Sequence, residues 1–284
     1  MSLRGVSCGL GFPQLKVNKK KPPILRRHGS MSSMISLIMP TRGRPQLAAL
    51  ALDCAIRQDY DPVSLEIVIF DDEDEPSFSD PPATRYKRVV RYFRNPRDHF
   101  RSLGDKRNAL CEESLGDIIA HFDSDDLSAT NRISTQIQSL SDLGKSISGF
   151  HTLPFYDLLT GQAYCYHLNK AYALGTSLAY RREFWRKNPF PSIDIGEDLP
   201  YTAVNREHRI SACGRDMMVA LLHDGNMSSR NQAHIHSSIF PKIATDTLPG
   251  WFQDIKSRWR EAEDCDKVTE ISNGLFTTKQ SNGP

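Results

Sequence analysis

The sequence lacks the marks of several common classes of protein. No apolar run approaches the roughly 20 residues that a membrane-spanning helix needs, so we expect no integral membrane segment. The six cysteines lie far apart and form no C-x-x-C pair, which argues against a zinc ribbon or a thioredoxin-like motif and favours a reducing compartment, the cytoplasm. The P-loop, the G-x-S-x-G elbow and the H-E-x-x-H helix are also missing.

The composition is that of a globular protein, but the basic residues are unevenly distributed. Of the 284 residues, 39% are hydrophobic and 25% are charged, which is enough to build a sizeable core. Residues 1–33 hold seven basic residues and no acidic one, and their aperiodic sequence predicts a flexible basic arm. This arm is a solvated leader, an upstream extension of a chain that begins at Met31 or Met34, or a segment that contacts a polyanion such as DNA or anionic lipid.

Short β-rich runs alternate with helical stretches from residue 35 onward. The predicted strands cover 35–39, 65–70, 88–93 and 117–122, and the predicted helices start at Pro45 or cover 103–115 and 129–140. This alternation is typical of βαβ units, so we expect an α/β fold with a mainly parallel, Rossmann-like sheet flanked by helices. We assign the chain to a single fused domain with a nucleotide-binding half at 34–140, an acceptor-side half at 141–240, and a C-terminal helical segment with a loose tail at 241–284.

The strongest local signal is a cluster of carboxylates directly after a predicted buried strand. Asp123, Asp125 and Asp126 lie within four residues, interrupted by Ser124, and their mutual repulsion favours a bound cation. Carboxylate oxygens suit Mg²⁺ or Mn²⁺, which are commonly shared with substrate phosphates. The alternative is a solvated turn in which Asp126 or Ser128 caps the next helix.

Other charged residues stand at similar positions in the predicted elements. Asp71 and Asp72 end the second strand and either bind a nucleobase or ribose or belong to a solvated acidic turn. Lys106 and Arg107 open a helix, where they either pair with a diphosphate or lie on its surface.

Two further candidates lie later in the chain. Asp198, next to Glu197, is either a general base or a helix cap. His223 follows the strand-like run MMVALL and is either a metal ligand or a loop residue.

Taken in order, these segments resemble the family 2 glycosyltransferases of the GT-A fold, over about 35–205. The matching motifs are a P-T-x-x-R-P-like turn at 39–45, the paired Asp71-Asp72, a G-x-x-R-N helix start at 104–108, the D-x-D motif at 123–125, and Glu197-Asp198 after the G-T-S-L strand at 175–178. The Gly-Ser that usually follows the paired aspartates is replaced here by Glu73-Asp74.

The resemblance implies a metal-dependent, inverting transfer of a sugar from a nucleotide-diphosphate sugar, by default a UDP-sugar, to an acceptor hydroxyl. It implies Asp198 as the catalytic base and a Mn²⁺ or Mg²⁺ ion on Asp123 and Asp125, to which we add His223 as a candidate ligand. The expected donor-binding residues are Pro40, Thr41, Arg44, Asp71, Asp72, Lys106, Arg107, Asp123 and Ser124.

Several alternatives remain open at this point. The fold is also compatible with a nucleotide-binding module that performs no transfer, or with a nucleotidyltransferase, although an obvious Gly- and Lys-rich triphosphate loop is missing. The acceptor is a cell-envelope polysaccharide, a protein, a small metabolite or, given the basic arm, modified DNA.

Overall fold

The structure, a computed structural model, describes residues 33–82, 89–95, 99–167, 170, 172–226 and 240–263. The predicted basic arm, apart from residue 33, and the loose tail beyond residue 263 lie outside these ranges. Within the described residues, no helix combines the length and the apolar character that crossing a bilayer requires.

The described residues form strands and helices that alternate through the first half of the chain. The strands are β1 (Ile35–Thr41), β2 (Leu65–Asp71), β3 (Val90–Arg94), β4 (Ile118–His121), β5 (Asp126–Ser128), β6 (Ile147–Asp157), β7 (Ala163–His167), β8 (Ala179–Arg181), β9 (Arg209–Cys213), β10 (Met218–Leu222) and β11 (Lys242–Ile243). The helices are α1 (Pro45–Ile56), α2 (Leu103–Glu113), α3 (Arg132–Leu143), α4 (Arg182–Lys187) and α5 (Gly250–Glu263).

One sheet joins all of these strands. Its main path runs β11-β7-β6-β8-β4-β1-β2-β3, while β5, β9 and β10 pair off this path. The stretch β4-β1-β2-β3 is parallel throughout, as expected from buried runs connected by helices. Beyond β4 the sheet is mixed, because β8 pairs antiparallel with both β4 and β6. The mainly parallel sheet predicted from the sequence therefore holds for the first half only.

The core lies on both faces of this sheet. Along β1, Ile35, Leu37 and Met39 pack into the cluster that contains α1 and α3, while Ile38 packs into the opposite cluster with α2 and α4. Alternate residues of a strand point to opposite faces, so a strand covered on both sides is apolar throughout. Burying one such side chain contributes about 1.5–3 kcal/mol.

Two segments differ from the sequence-based expectation. The predicted G-T-S-L strand is a 3-10 turn at Gly175–Ser177, in which the Ser177 amide and hydroxyl both donate to the Leu174 carbonyl oxygen and the Gly175 carbonyl accepts a hydrogen bond from the buried His121 ring. Asp126 caps no helix but begins β5, where its carboxylate accepts hydrogen bonds from the Leu221 amide and the Thr176 hydroxyl.

The topology creates a crevice beside β1. From β1 the chain proceeds to β2 and β3 on one side and then returns to β4 on the other. The carboxyl ends of β1 and β4 therefore diverge at a switch point, which is where ligands bind in open α/β sheets.

Candidate active site

A cavity of about 730 Å³ opens at this crevice. Charged residues from the ends of β1, β2 and β4 line one part, and aromatic and aliphatic side chains line another. Most of the predicted site residues face it, namely Pro40, Thr41, Arg44, Asp72, Lys106, Arg107, Asp123, Asp125 and Asp198. Asp71, Ser124 and His223 do not line it, although each is adjacent in sequence or bonded to a residue that does.

The buried Arg107 guanidinium joins the two acidic motifs. Its Nη1 and Nη2 donate to the two oxygens of Asp123 at 3.0 and 3.2 Å, and its Nε donates to Glu197 Oε1 at 3.1 Å. Burial alone would raise the pKa of Asp123, but the Arg107 charge outweighs this effect and the pKa is lowered. Asp123 is therefore ionised and fixed in place, and Arg107 is bonded to carboxylates, where the sequence suggested a diphosphate.

Asp198 has the opposite electrostatic environment. Burial, together with the negative charge of neighbouring Glu197, raises its pKa to about 7, although Arg107 opposes the shift. Two adjacent carboxylates thus differ in character, because Glu197 pairs with Arg107 directly. A carboxylate whose pKa lies near neutrality is suited to accept a proton at physiological pH.

The turn at Gly175–Ser177 packs against the Asp198 side chain. A Cβ atom at Gly175 would lie 1.8 Å from Asp198 Oδ2, so only glycine leaves room for this carboxyl group. His121 Nδ1 lies 2.8 Å from the Gly175 carbonyl oxygen, which fixes the ring proton on Nδ1. Burial lowers the pKa of His121 well below its usual value, so the ring is a neutral structural support.

Arg44, Asp125 and His223 form a second cluster of contacting side chains. Arg44 Nη1 donates to Asp125 Oδ2 at 2.6 Å and to the Gly225 carbonyl oxygen at 3.3 Å. His223 Nε2 lies 3.1 Å from the same Asp125 oxygen. Arg44 has φ 59° and ψ 53° and is the non-glycine residue with positive φ in the described ranges. Such a conformation costs on the order of 1–3 kcal/mol and persists where its surroundings fix it.

Asp125 and His223 also meet the geometric requirement for two ligands of one metal ion. Their 3.1 Å separation suits neighbouring positions around an octahedral ion with bonds of about 2.1 Å. No group of three or more metal-ligating His, Cys, Asp or Glu side chains converges within the described part of the chain. A Mg²⁺-type ion needs only one or two side-chain ligands when substrate phosphates and water complete its shell, so this pair fits such an ion.

Lys106 and Asp72 form a second buried ion pair at the crevice. Lys106 Nζ donates to Asp72 Oδ1 at 2.5 Å and to the Thr41 carbonyl oxygen at 2.6 Å. Burial lowers the pKa of Lys106, although the Asp72 carboxylate opposes this. The pair ties the start of α2 to the ends of β1 and β2 and places both groups on the cavity wall.

Asp71 holds the loop that follows β2. Its oxygens accept hydrogen bonds from the Ser77 amide at 2.7 Å, from the Tyr92 hydroxyl at 2.6 Å and from the Glu73 amide at 3.2 Å. The structure thus gives Asp71 loop partners within the protein, and its role in base binding stays a prediction.

Sequence reasoning missed the aromatic part of the cavity. It is lined by Phe100, Phe155, Tyr166, Tyr172 and Phe240. These residues are scattered over the chain and carry no spacing signal, so only the fold brings them together. Tyr166 and Phe240 contact one another edge to face, with centroids 5.5 Å apart.

A model of the family described as Glycosyl transferase family 2 matches residues 36–189, more than half of the chain. The chain belongs to this family. The resemblance to this family seen in the sequence is thereby confirmed. Comparison with curated proteins found no match.

Solved structures of S. aureus TarS share the fold. The S. aureus TarS 1-349 fragment is 16% identical and has a TM-score of 0.52 over 66% of this chain and 60% of that one. Its complex with UDP-GlcNAc gives 17% identity and a TM-score of 0.52 over 69% and 61%. The Pyrobaculum calidifontis mannosyltransferase PcManGT, in complex with GDP-Man and Mn²⁺, is 15% identical with a TM-score of 0.49 over 68% and 57%. The chain thus spans less than two thirds of each of these proteins.

Removing the central guanidinium tests the electrostatic model of the site. We expect Arg107→Met to lower the free energy of unfolding by about 3 kcal/mol at pH 7, because it leaves two buried carboxylates without a partner. Urea unfolding followed by circular dichroism measures this loss. Arg101→Met is the matched control, because Arg101 lines the same cavity but is 83% exposed. A loss below about 1 kcal/mol for Arg107→Met would contradict the model.

Proposed function

We propose that the protein transfers a sugar from a nucleotide-diphosphate sugar, by default a UDP-sugar, to an acceptor hydroxyl with inversion at the anomeric carbon. The observation that carries this proposal is the Arg107 bridge, which joins Asp123 at the end of the parallel sheet to Glu197 beside Asp198. Asp123, which suits donor binding, and Asp198, which suits proton acceptance, thereby line one cavity.

A buried hydroxyl on the cavity wall favours a polar donor. Thr41 Oγ1 is buried, and it makes no hydrogen bond with the described residues. Buried polar groups are nearly always paired, so a bound polar ligand is the expected partner. Thr41 lies at the carboxyl end of β1, where we assign the nucleotide with Pro40, Arg44 and Asp72. Ser124 Oγ is also buried without such a bond, but Ser124 does not line the cavity, and its role in donor binding stays a prediction.

We assign the divalent cation, Mn²⁺ or Mg²⁺, to Asp125 and His223. When bound, such an ion supplies positive charge against the negative charge that grows on the leaving diphosphate. Asp123, held by Arg107, lines the same cavity, and we assign it to the ribose or the ion. The distance between Asp125 Oδ2 and His223 Nε2 is the support for this assignment.

Asp198 takes the proton in the proposed reaction. The acceptor oxygen attacks the anomeric carbon while the bond from that carbon to the diphosphate oxygen breaks. The acceptor proton passes to Asp198, whose pKa near 7 lets it be ionised before the step and take up the proton during it. One displacement without a covalent intermediate inverts the configuration.

The cysteines support a reducing compartment, the cytoplasm. The four described ones, Cys54, Cys111, Cys165 and Cys213, are free thiols, three of them buried.

Nucleotide binding is the first test. We expect one of UDP, GDP, TDP and CDP to raise the melting temperature, with a larger shift in the presence of Mn²⁺. A ligand at 100 times its dissociation constant adds about 2.7 kcal/mol of stability. The Mn²⁺-dependent part should disappear in Asp125→Ala. If none of the four nucleotides shifts the melting curve, the donor-site assignment is wrong.

The role of Asp198 predicts a pH profile. The base works ionised, so kcat/KM for nucleotide release should rise about tenfold per pH unit below pH 7 and level off above it. Asp198→Asn should lower the rate by about 10²- to 10⁴-fold and abolish this rise, while nucleotide binding is retained. The assay uses sugar conjugates of the nucleotide that raises the melting temperature. It measures nucleotide release when water takes the place of the acceptor. A wild type that binds nucleotide but releases none from any donor sugar would favour the alternative of a binding module.

The close approach of Gly175 to Asp198 gives a steric test. We expect Gly175→Ala to turn the Asp198 carboxyl away and to lower the rate about 100-fold, because misplacing a reacting group by about 1 Å has effects of this size. The melting temperature should change little, since the displaced atoms end a side chain. Gly250→Ala is the control, because an added Cβ there meets no atom within 4 Å. An unchanged rate in Gly175→Ala would refute the placement of Asp198.

A further inference from the structure

We propose that the Arg44 guanidinium is a tethered cation that occupies the divalent-cation position in the ligand-free protein and competes with the ion for it. This inference rests on the proposed function, which assigns Asp125 and His223 to a metal.

The guanidinium lies against both atoms that would ligate the ion, which are themselves 3.1 Å apart. Arg44 Nη1 is 2.6 Å from Asp125 Oδ2, 3.3 Å from the Gly225 carbonyl oxygen and 3.4 Å from His223 Nε2. A carboxylate oxygen, a carbonyl oxygen and an imidazole nitrogen thus surround one positively charged group. An ion that binds both Asp125 and His223 requires this group to leave.

The backbone of Arg44 is held in an unusual conformation that serves this placement. It combines positive φ with a position directly before Pro45, which itself restricts the preceding residue. A strained residue of this kind persists where the surrounding structure fixes it, and the ion pair with Asp125 is the strong contact of this side chain.

His223 is also arranged for the guanidinium-bound state. The Gly225 amide donates to His223 Nδ1 at 3.0 Å, so the proton of the neutral ring is on Nε2, which then donates to Asp125. A metal on Nε2 needs the other tautomer, in which Nδ1 carries the proton and cannot accept from Gly225. Entry of the ion therefore rearranges the 223–225 turn as well as Arg44.

The displaced guanidinium has capacity for a new partner. Arg44 Nε is buried and makes no hydrogen bond with the described residues. A diphosphate can accept hydrogen bonds from a guanidinium and also supply oxygen ligands to a metal ion. The diphosphate of the donor nucleotide thus supplies acceptors for the guanidinium and oxygen ligands for the ion. The ion then enters together with the nucleotide, and the ligand-free protein binds the ion weakly.

Mn²⁺ binding to the ligand-free full-length protein tests the competition. Electron paramagnetic resonance of free Mn²⁺ gives the affinity for the wild type, Arg44→Ala and Arg44→Gly. The glycine variant suits the positive φ and guards against a folding defect in the alanine variant. We expect both variants to bind Mn²⁺ at least tenfold more tightly than the wild type. Adding Asp125→Asn to Arg44→Gly should restore weak binding.

Arg101→Ala is the matched control, because it removes one positive charge from the same cavity without touching Asp125. We expect it to leave the Mn²⁺ affinity at the wild-type value. Equal affinities for the wild type and both Arg44 variants, whether tight or undetectable, would overturn the inference, as would an equal gain in Arg101→Ala. Failure of the proposed function shows separately, as the absence of any nucleotide-induced rise in melting temperature.

Discussion

The guanidinium of Arg107 is the group around which the site is organised. It is buried, and its donors reach Asp123 after β4 and Glu197 in the loop beyond α4. Without it, two carboxylates would stand unpaired in a poorly solvated place, and Asp198 would face more negative charge. The same bridge keeps Asp123 ionised, whereas burial and the Glu197 charge raise the pKa of Asp198 against the opposing effect of Arg107. The electrostatic contrast across the cavity therefore results from burial on one side and a directly bonded guanidinium on the other.

The parallel half of the fold could be predicted from the sequence because its strands are covered on both faces. Such strands are mostly apolar, and acidic residues follow β2 and β4, so the bounds of β1, β2 and β4 could be predicted to within two residues. The mixed half could not be predicted in the same way. The segment at Gly175–Ser177 has a strand-like sequence but forms a turn that is bonded to His121, which lies 54 residues earlier in the chain.

The residues of the site could be named from the sequence, but their partners could not. The order of the motifs identified Asp123, Asp198 and Arg107 as candidate site residues, and in the structure all three line one cavity. Sequence spacing does not show that Lys106 and Arg107 bond to protein carboxylates, because these contacts depend on how distant segments pack. The Arg44 side chain is a similar case, since its contacts lie 81 to 181 residues away.

The distribution of these partners along the chain has a consequence for biosynthesis. Arg107 lies 16 residues from Asp123 but 90 residues from Glu197. During translation the parallel half emerges first, and the first of these ion pairs can form as soon as β4 is available. Glu197 and Asp198 are synthesised only with the last third of the protein. The cavity wall, which also contains Phe155, Tyr172 and Phe240, is therefore completed late in translation, after the Arg107–Asp123 pair can form.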